Sequence, residues 1–239
     1  MDNKNLRQWT GVLLILEGLL MIPPLVILGA AINWPASLSE PASINLPLLV
    51  EQASAVEAGY FIYLLYSILF FVVMLLTAGI VSENREFNGW LKATVGFAVV
   101  STLARCIGIV RWLSVMPVLA GYYVSGSAET QATISVLYDA INAYGSTIGE
   151  ALGVGVFAGL SLISLSIAMF ENKDNPKWLA VCGLLAGFAV MVQAVELFGI
   201  DLGAFISVLV SVLHVWFFAA GIRLLAKPLN NHSFAKETL

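Results

Sequence analysis

The sequence predicts an all-α, polytopic bundle of six transmembrane helices, and three observations carry that expectation. The 239-residue chain is 59% hydrophobic and only 11% charged, whereas about a quarter of the residues of a soluble domain are charged. Its mean hydropathy is +0.91. Six stretches are apolar over the ~20 residues that a helix needs to cross a hydrocarbon core. These features exclude a soluble enzyme and a disordered chain, and a net charge of −4 with pI near 5.1 offers no basic surface for nucleic acid.

Taken in order, the spans run approximately 9–32, 60–81, 90–110, 146–170, 178–199 and 204–225, all within one membrane domain. The first is long for the apolar region of a signal peptide and is interrupted by Glu17, Pro23 and Pro24, so it reads as a retained helix. Turn and charge signals separate the spans: Asn33-Trp-Pro, the polar run 82–89, Glu171 to Lys177, and the Gly199-Ile-Asp-Leu-Gly hairpin. The runs lack the alternating polarity of a β-barrel strand.

Basic residues orient the chain. With the N-terminus inside, Lys4, Arg7, Arg85, Lys92, Lys173, Lys177, Arg223, Lys227 and Lys236 fall on the cytoplasmic side, nine of the eleven in the sequence. Ionisable residues of the outer loops are acidic: Glu40, Glu51, Glu57, Glu129, Asp139 and Asp201. Both termini are therefore expected in the cytoplasm of a cell-membrane protein. Trp9, Trp90 and Trp178 mark the inner boundary on this frame, and Trp34 and Trp112 the outer.

The outer segments 33–59 and 112–145 are long for connectors. The second carries an amphipathic pattern, Ile134, Leu137, Tyr138, Ile141 and Tyr144, which predicts a helix on the outer surface or one extending the fourth span.

Six ionisable residues remain inside the membrane, where each costs on the order of 3 kcal/mol and tends to face a bundle interior. At 1.5 Å per residue from the inner boundary, Arg105 lies at roughly 22 Å, Arg111 at roughly 31 Å, Glu150 at roughly 30 Å and Glu196 at roughly 27 Å. Two cations and two acids thus share the outer third, as a candidate ligand site or as ion pairs that hold helices in register. Arg105 and Arg111 lie about 120° apart round their helix, so they cannot both point at one partner. Glu17 at roughly 12 Å and His214 at roughly 16 Å form a second candidate pair, for a proton relay or for packing. Thr94, Ser101, Arg105, Gly108 and Trp112 share one face of the third span, and Ser146, Glu150, Gly153, Ser161 and Ser164 one face of the fourth. Faces made of small and polar residues are expected to meet.

Catalytic motifs are missing. There is no HExxH, GxSxG or phosphate-binding loop, and Cys106 and Cys182 form no metal-binding or redox pair. No cofactor or metal is called for.

The run Arg105-Cys-Ile-Gly-Ile-Val-Arg-Trp-Leu-Ser-Val-Met-Pro-Val-Leu-Ala, with Tyr144-Gly-Ser-Thr-Ile-Gly-Glu150 after it, resembles a prokaryotic multi-pass membrane family known as domain of unknown function 4386. The resemblance implies an integral membrane protein and assigns no activity or site residue. Three functions stay open from the residues themselves. One is binding or transport of a small polar or amphipathic molecule, or of a lipid, through an outward-facing site. Another is a structural or regulatory membrane subunit. The third is an intramembrane lipid-modifying enzyme using Glu17 and His214.

Overall fold

The computed structural model describes residues 3–83, 86–200, 202–203 and 205–226. Arg85, Asp201, Ala204, Lys227, His232 and Lys236 lie outside these, and so do the parts of the charge and span assignments that rest on them. Among the described residues there is no strand. Six helical stretches are long and apolar enough to cross a membrane: Lys4–Ile32, Ala53–Val81, Gly89–Ser125, Ala128–Glu171, Lys177–Phe198 and Phe205–Ala226.

The first of these is two helices, α1 (Asn3–Leu20) and α2 (Ile22–Ile32). Pro23 and Pro24 have no N–H to continue the α1 ladder but suit the first turn of a new helix, so the chain breaks at Met21. Helix α2 ends on Asn33, which is left-handed at φ 57° and returns its N–H to Gly29. After a short 3₁₀ turn over Ala36–Ser39 come α3 (Ala42–Glu51) and α4 (Ala53–Val81). Segment 33–59, expected as an outer loop, is therefore mostly helical. The 29 residues of α4 span about 43 Å at 1.5 Å per residue, well beyond a ~30 Å hydrocarbon core.

Helix α5 (Gly89–Leu113) starts on an Asn88 cap, whose side chain accepts from Leu91 N–H at 3.1 Å. It turns at Ser114 into α6 (Val115–Ser125). Helix α7 (Ala128–Ser146) carries the amphipathic pattern and passes without a break into a π-helix over Thr147–Phe157 and then into α8 (Ala158–Glu171). Helix α9 (Lys177–Met191) tightens to 3₁₀ over Val192–Phe198, and α10 (Phe205–Ala226) follows.

These spans close into a ring. Helix α1 packs on α4, α4 on α5, α5 on the π-helix and α8, α8 on α9, α9 on α10, and α10 back on α1. Large apolar side chains cover the outside, as at Val26, Leu103, Leu185 and Val215, the surface that lipid would solvate. One apolar core fills the ring, around Phe70, Met74, Leu162, Trp216 and Phe217. A second lies at one end, where α3, α6 and α7 pack together over Leu28, Leu46, Met116 and Tyr138 as a cap. Asn45 Nδ2 donates to Tyr138 Oη at 2.6 Å and Asn142 Nδ2 to the Leu38 carbonyl at 2.8 Å, tying α3 and the 3₁₀ turn to α7.

Candidate functional site

The two small-residue faces meet as anticipated. Ser101 Oγ donates to the Gly153 carbonyl at 2.7 Å and Ser161 Oγ to the Thr94 carbonyl at 2.8 Å. A Cβ on Gly108 would fall 2.7 Å from the Gly149 Cα, so the backbones of α5 and the π-helix come closer than any other residue pair would permit there. This approach sets where the two arginines go, and they take different partners.

Arg111, 5% exposed, points at the π-helix. Its Nη2 lies 3.2 Å from Glu150 Oε1 and donates to Ser146 Oγ at 2.9 Å. The guanidinium carbon stands 5.3 Å from the Trp112 ring, and the side chain fills space that a Cβ on Gly145 would occupy. Glu196, on the 3₁₀ turn after α9, is within electrostatic reach of Glu150. Arg111, Glu150 and Glu196 are thus grouped.

Arg105, 3% exposed, leaves that group and points at α4. Its guanidinium carbon lies 4.6 Å from the centre of the Tyr66 ring and 5.1 Å from that of Phe70, a cation–π arrangement that strengthens with desolvation. No ion pair to Arg105 occurs among the described residues, and its Nε has no hydrogen-bond partner.

Glu17 and His214 lie around Arg105. Glu17 is fully buried, interacts electrostatically with Arg105, and has no hydrogen-bond partner on either carboxyl oxygen. His214 stacks on Tyr66, with ring centres 5.7 Å apart and planes 10° from parallel. Its Nδ1 is 2.9 Å from the Val210 carbonyl, which can only accept, so that nitrogen carries a proton. In the neutral ring Nε2 then accepts from the Tyr66 hydroxyl at 3.3 Å. Four spans each contribute one of these side chains: Glu17 from α1, Tyr66 from α4, Arg105 from α5 and His214 from α10.

The two groups are joined by tyrosines. Tyr63 stacks on Tyr66 at 5.8 Å and feels the charges of Arg105, Glu150 and Arg111. Tyr60 stacks face to face on Trp112 at 5.2 Å. Tyr63 and Glu150 are only part-buried, Glu150 keeping 31% of its side chain accessible, although protein surrounds both. Among the described residues no set of three His, Cys, Asp or Glu is placed to hold a metal ion.

The family model described as Domain of unknown function (DUF4386) matches residues 9–227. The chain belongs to this family. No curated protein and no solved structure matches it. In this DUF4386 chain the matched stretch contains Glu17, Arg105, Arg111, Glu150, Glu196 and His214 and, among the described residues, all ten α-helices in whole or in part.

Three features of the site were not read from the sequence. Tyr60, Tyr63 and Tyr66 recur at three-residue spacing in the second span, a ladder along one side of a helix that could have been noticed. The π-helix had no local signal beyond its run of glycines. Trp112, expected as an outer boundary marker, is 2% exposed and serves as the platform for Tyr60 instead.

Proposed function

We propose that this protein binds a small polar or amphipathic molecule inside its helix ring, in a crevice between the Arg105 and Arg111 groups, and that binding serves its passage or sensing at the membrane. One observation carries the proposal: Glu17 on α1 and Arg105 on α5 are both buried, with Arg105 Nε and both Glu17 oxygens unpartnered. A buried polar group left without a hydrogen bond costs about 1–3 kcal/mol, and more if charged. A molecule carrying both a donor and an acceptor would satisfy both side chains, and Tyr63 and Glu150 line the approach. The proposal places the cap and the mouth of the crevice outside the cell membrane and both termini in the cytoplasm, following the basic-residue bias.

The test is thermal unfolding of the detergent-purified protein against a panel of small carboxylates, amines and zwitterions. A compound that raises the midpoint in wild type and does nothing for Arg105→Gln and Glu17→Gln supports the site. The proposal falls if no compound acts and the double replacement Arg105→Met/Glu17→Met is as stable as wild type, as expected of a buried pair kept only for packing.

A packing role is favoured for Arg111 and Glu150 specifically, because they pair with each other and with Ser146, although Arg111 Nε, like that of Arg105, has no partner. His214, with one nitrogen on a backbone carbonyl and the other facing Tyr66, is better suited to orienting Tyr66 than to acid–base work on a lipid.

A further inference from the structure

The end of the bundle opposite the cap carries a recess of about 40 Å³. Its polar lining comes from Arg7 on α1, Thr77 on α4, Asp174 and Asn175 in the turn before α9, and Arg223 on α10, and Met169 on α8, Leu179 on α9 and Trp216 on α10 complete the wall. A site needs about 10–15 Å³ for each water-sized occupant, so the recess has room for about three, the size of the exposed oxygens of one phosphoryl group. Its depth is apolar, with Trp216 and Leu179 on the wall and the indole N–H already given to the Leu179 carbonyl at 3.2 Å.

The polar groups facing this space are mainly donors. Arg223 is half-buried and makes no ion pair among the described residues. Arg7 is held by Glu83 through Nε and Nη2, both bonded to the same carboxyl oxygen, which leaves Nη1 to face other groups. The Asn175 side-chain Nδ2 is buried without any hydrogen-bond partner. Asp174 is the acid on the wall, and it is exposed, where water screens it. Two guanidinium groups and an orphaned amide donor around a small recess call for an acceptor-only group, and a tetrahedral oxyanion fits that description.

We infer that this recess binds a phosphate group, supplied by the headgroup of a membrane phospholipid. It lies where α1, α4 and α10 reach one end of their apolar stretches, the level at which arginine side chains meet headgroups. Arg223 holds the phosphate, the Asn175 amide donates to a second oxygen, and the acyl chains run along the lipid-facing side of α10 beside Ile222 and Leu225, both exposed. The site is separate from the crevice near the cap and does not depend on what that crevice binds.

The experiment compares the full-length protein in detergent with added phosphatidylglycerol, diacylglycerol of the same acyl chains, or inorganic phosphate, reading the unfolding midpoint and the lipid retained in native mass spectrometry. Phosphatidylglycerol is expected to raise the midpoint and stay bound, and diacylglycerol to do neither. Arg223→Gln and Asn175→Leu are each expected to weaken this binding about tenfold, the loss of one charge-assisted bond. Arg223→Lys, which keeps the charge, retains part of the effect and serves if the glutamine variant does not fold. A shift from inorganic phosphate alone that the same variants abolish keeps the anion site but assigns it to a free phosphate compound. Equal retention by wild type and both variants, or an equal response to diacylglycerol, overturns the inference.

Discussion

Arg105 and Arg111 share a helix, a charge and near-complete burial, yet their surroundings assign them different work. Arg111 has a carboxylate and a hydroxyl within bonding distance, so its energy is pairwise and can be measured as such. Removing one partner strands the other. Glu150 is partly accessible, which reduces the cost from the 3–5 kcal/mol of a fully buried pair to about 2 kcal/mol. Arg111→Gln and Glu150→Gln should each destabilise by about that amount, and the double variant by clearly less than the sum, in a double-mutant cycle read by chemical denaturation. Arg105 has ring faces, a side-chain hydrogen bond with the Tyr66 hydroxyl and an electrostatic neighbour, and no carboxylate bonded to it. Tyr66→Phe should then cost about 1–2 kcal/mol, the hydroxyl's bonds to His214 and Arg105, because the ring under Arg105 remains. Tyr66→Leu removes the ring as well and should cost about 1–2 kcal/mol more. Equal losses in the two Tyr66 variants would show that the cation–π contact contributes nothing.

The seam between α5 and the π-helix explains how these side chains are aimed. Gly108 and Gly149 are in mutual backbone contact, and neither backbone can yield to a new methyl group. Gly108→Ala and Gly149→Ala should each cost roughly 1–3 kcal/mol by overpacking and should loosen the Arg111–Glu150 pair with it. Gly96, on the same α5, has nothing within 4 Å of an added Cβ, so Gly96→Ala should be neutral or stabilise by up to about 1 kcal/mol through helix propensity. The contrast within one helix separates packing from propensity. Parts of this seam were legible in the sequence. Apolar length gave the six spans and the stripes of Ser, Thr and Gly predicted which faces meet, whereas the first span, read as one helix interrupted by Pro23 and Pro24, is divided into α1 and α2. The π-helix was not legible, because i→i+5 bonding from Thr147 to Phe157 has no composition of its own. Ser101 bonds the Gly153 carbonyl from the neighbouring helix, so part of what stabilises that backbone lies across the interface. Helix α3 was hidden for a related reason: ten residues with Pro47 inside show little helical period until α6 and α7 pack against them.

For the molecule as a whole, the ring places the α1 N-terminus and the α10 C-terminus at one end and the cap at the other. Six crossings require the two ends of the described chain to lie on the same side, and only the charge bias says which. Basic residues Lys4, Arg7, Lys92, Lys173, Lys177 and Arg223 all fall at the end away from the cap, while Glu40, Glu51, Glu57, Glu129 and Asp139 fall on or beside it. Short loops rich in lysine and arginine stay in the cytoplasm during insertion, and acidic residues have little influence. The cap should accordingly face outward. Single cysteines in a background with Cys106 and Cys182 replaced by alanine test this directly. Gly121 on α6 has open space around an added side chain, and Lys173 in the turn before α9 is exposed, so a cysteine at either position should leave the fold intact. In intact cells a membrane-impermeant maleimide should label Gly121→Cys, and it should reach Lys173→Cys only after the membrane is opened. The reverse pattern would turn the bundle over. The crevice would then open to the cytoplasm and the phosphate-binding recess would meet the outer leaflet, with the geometry of both sites unchanged.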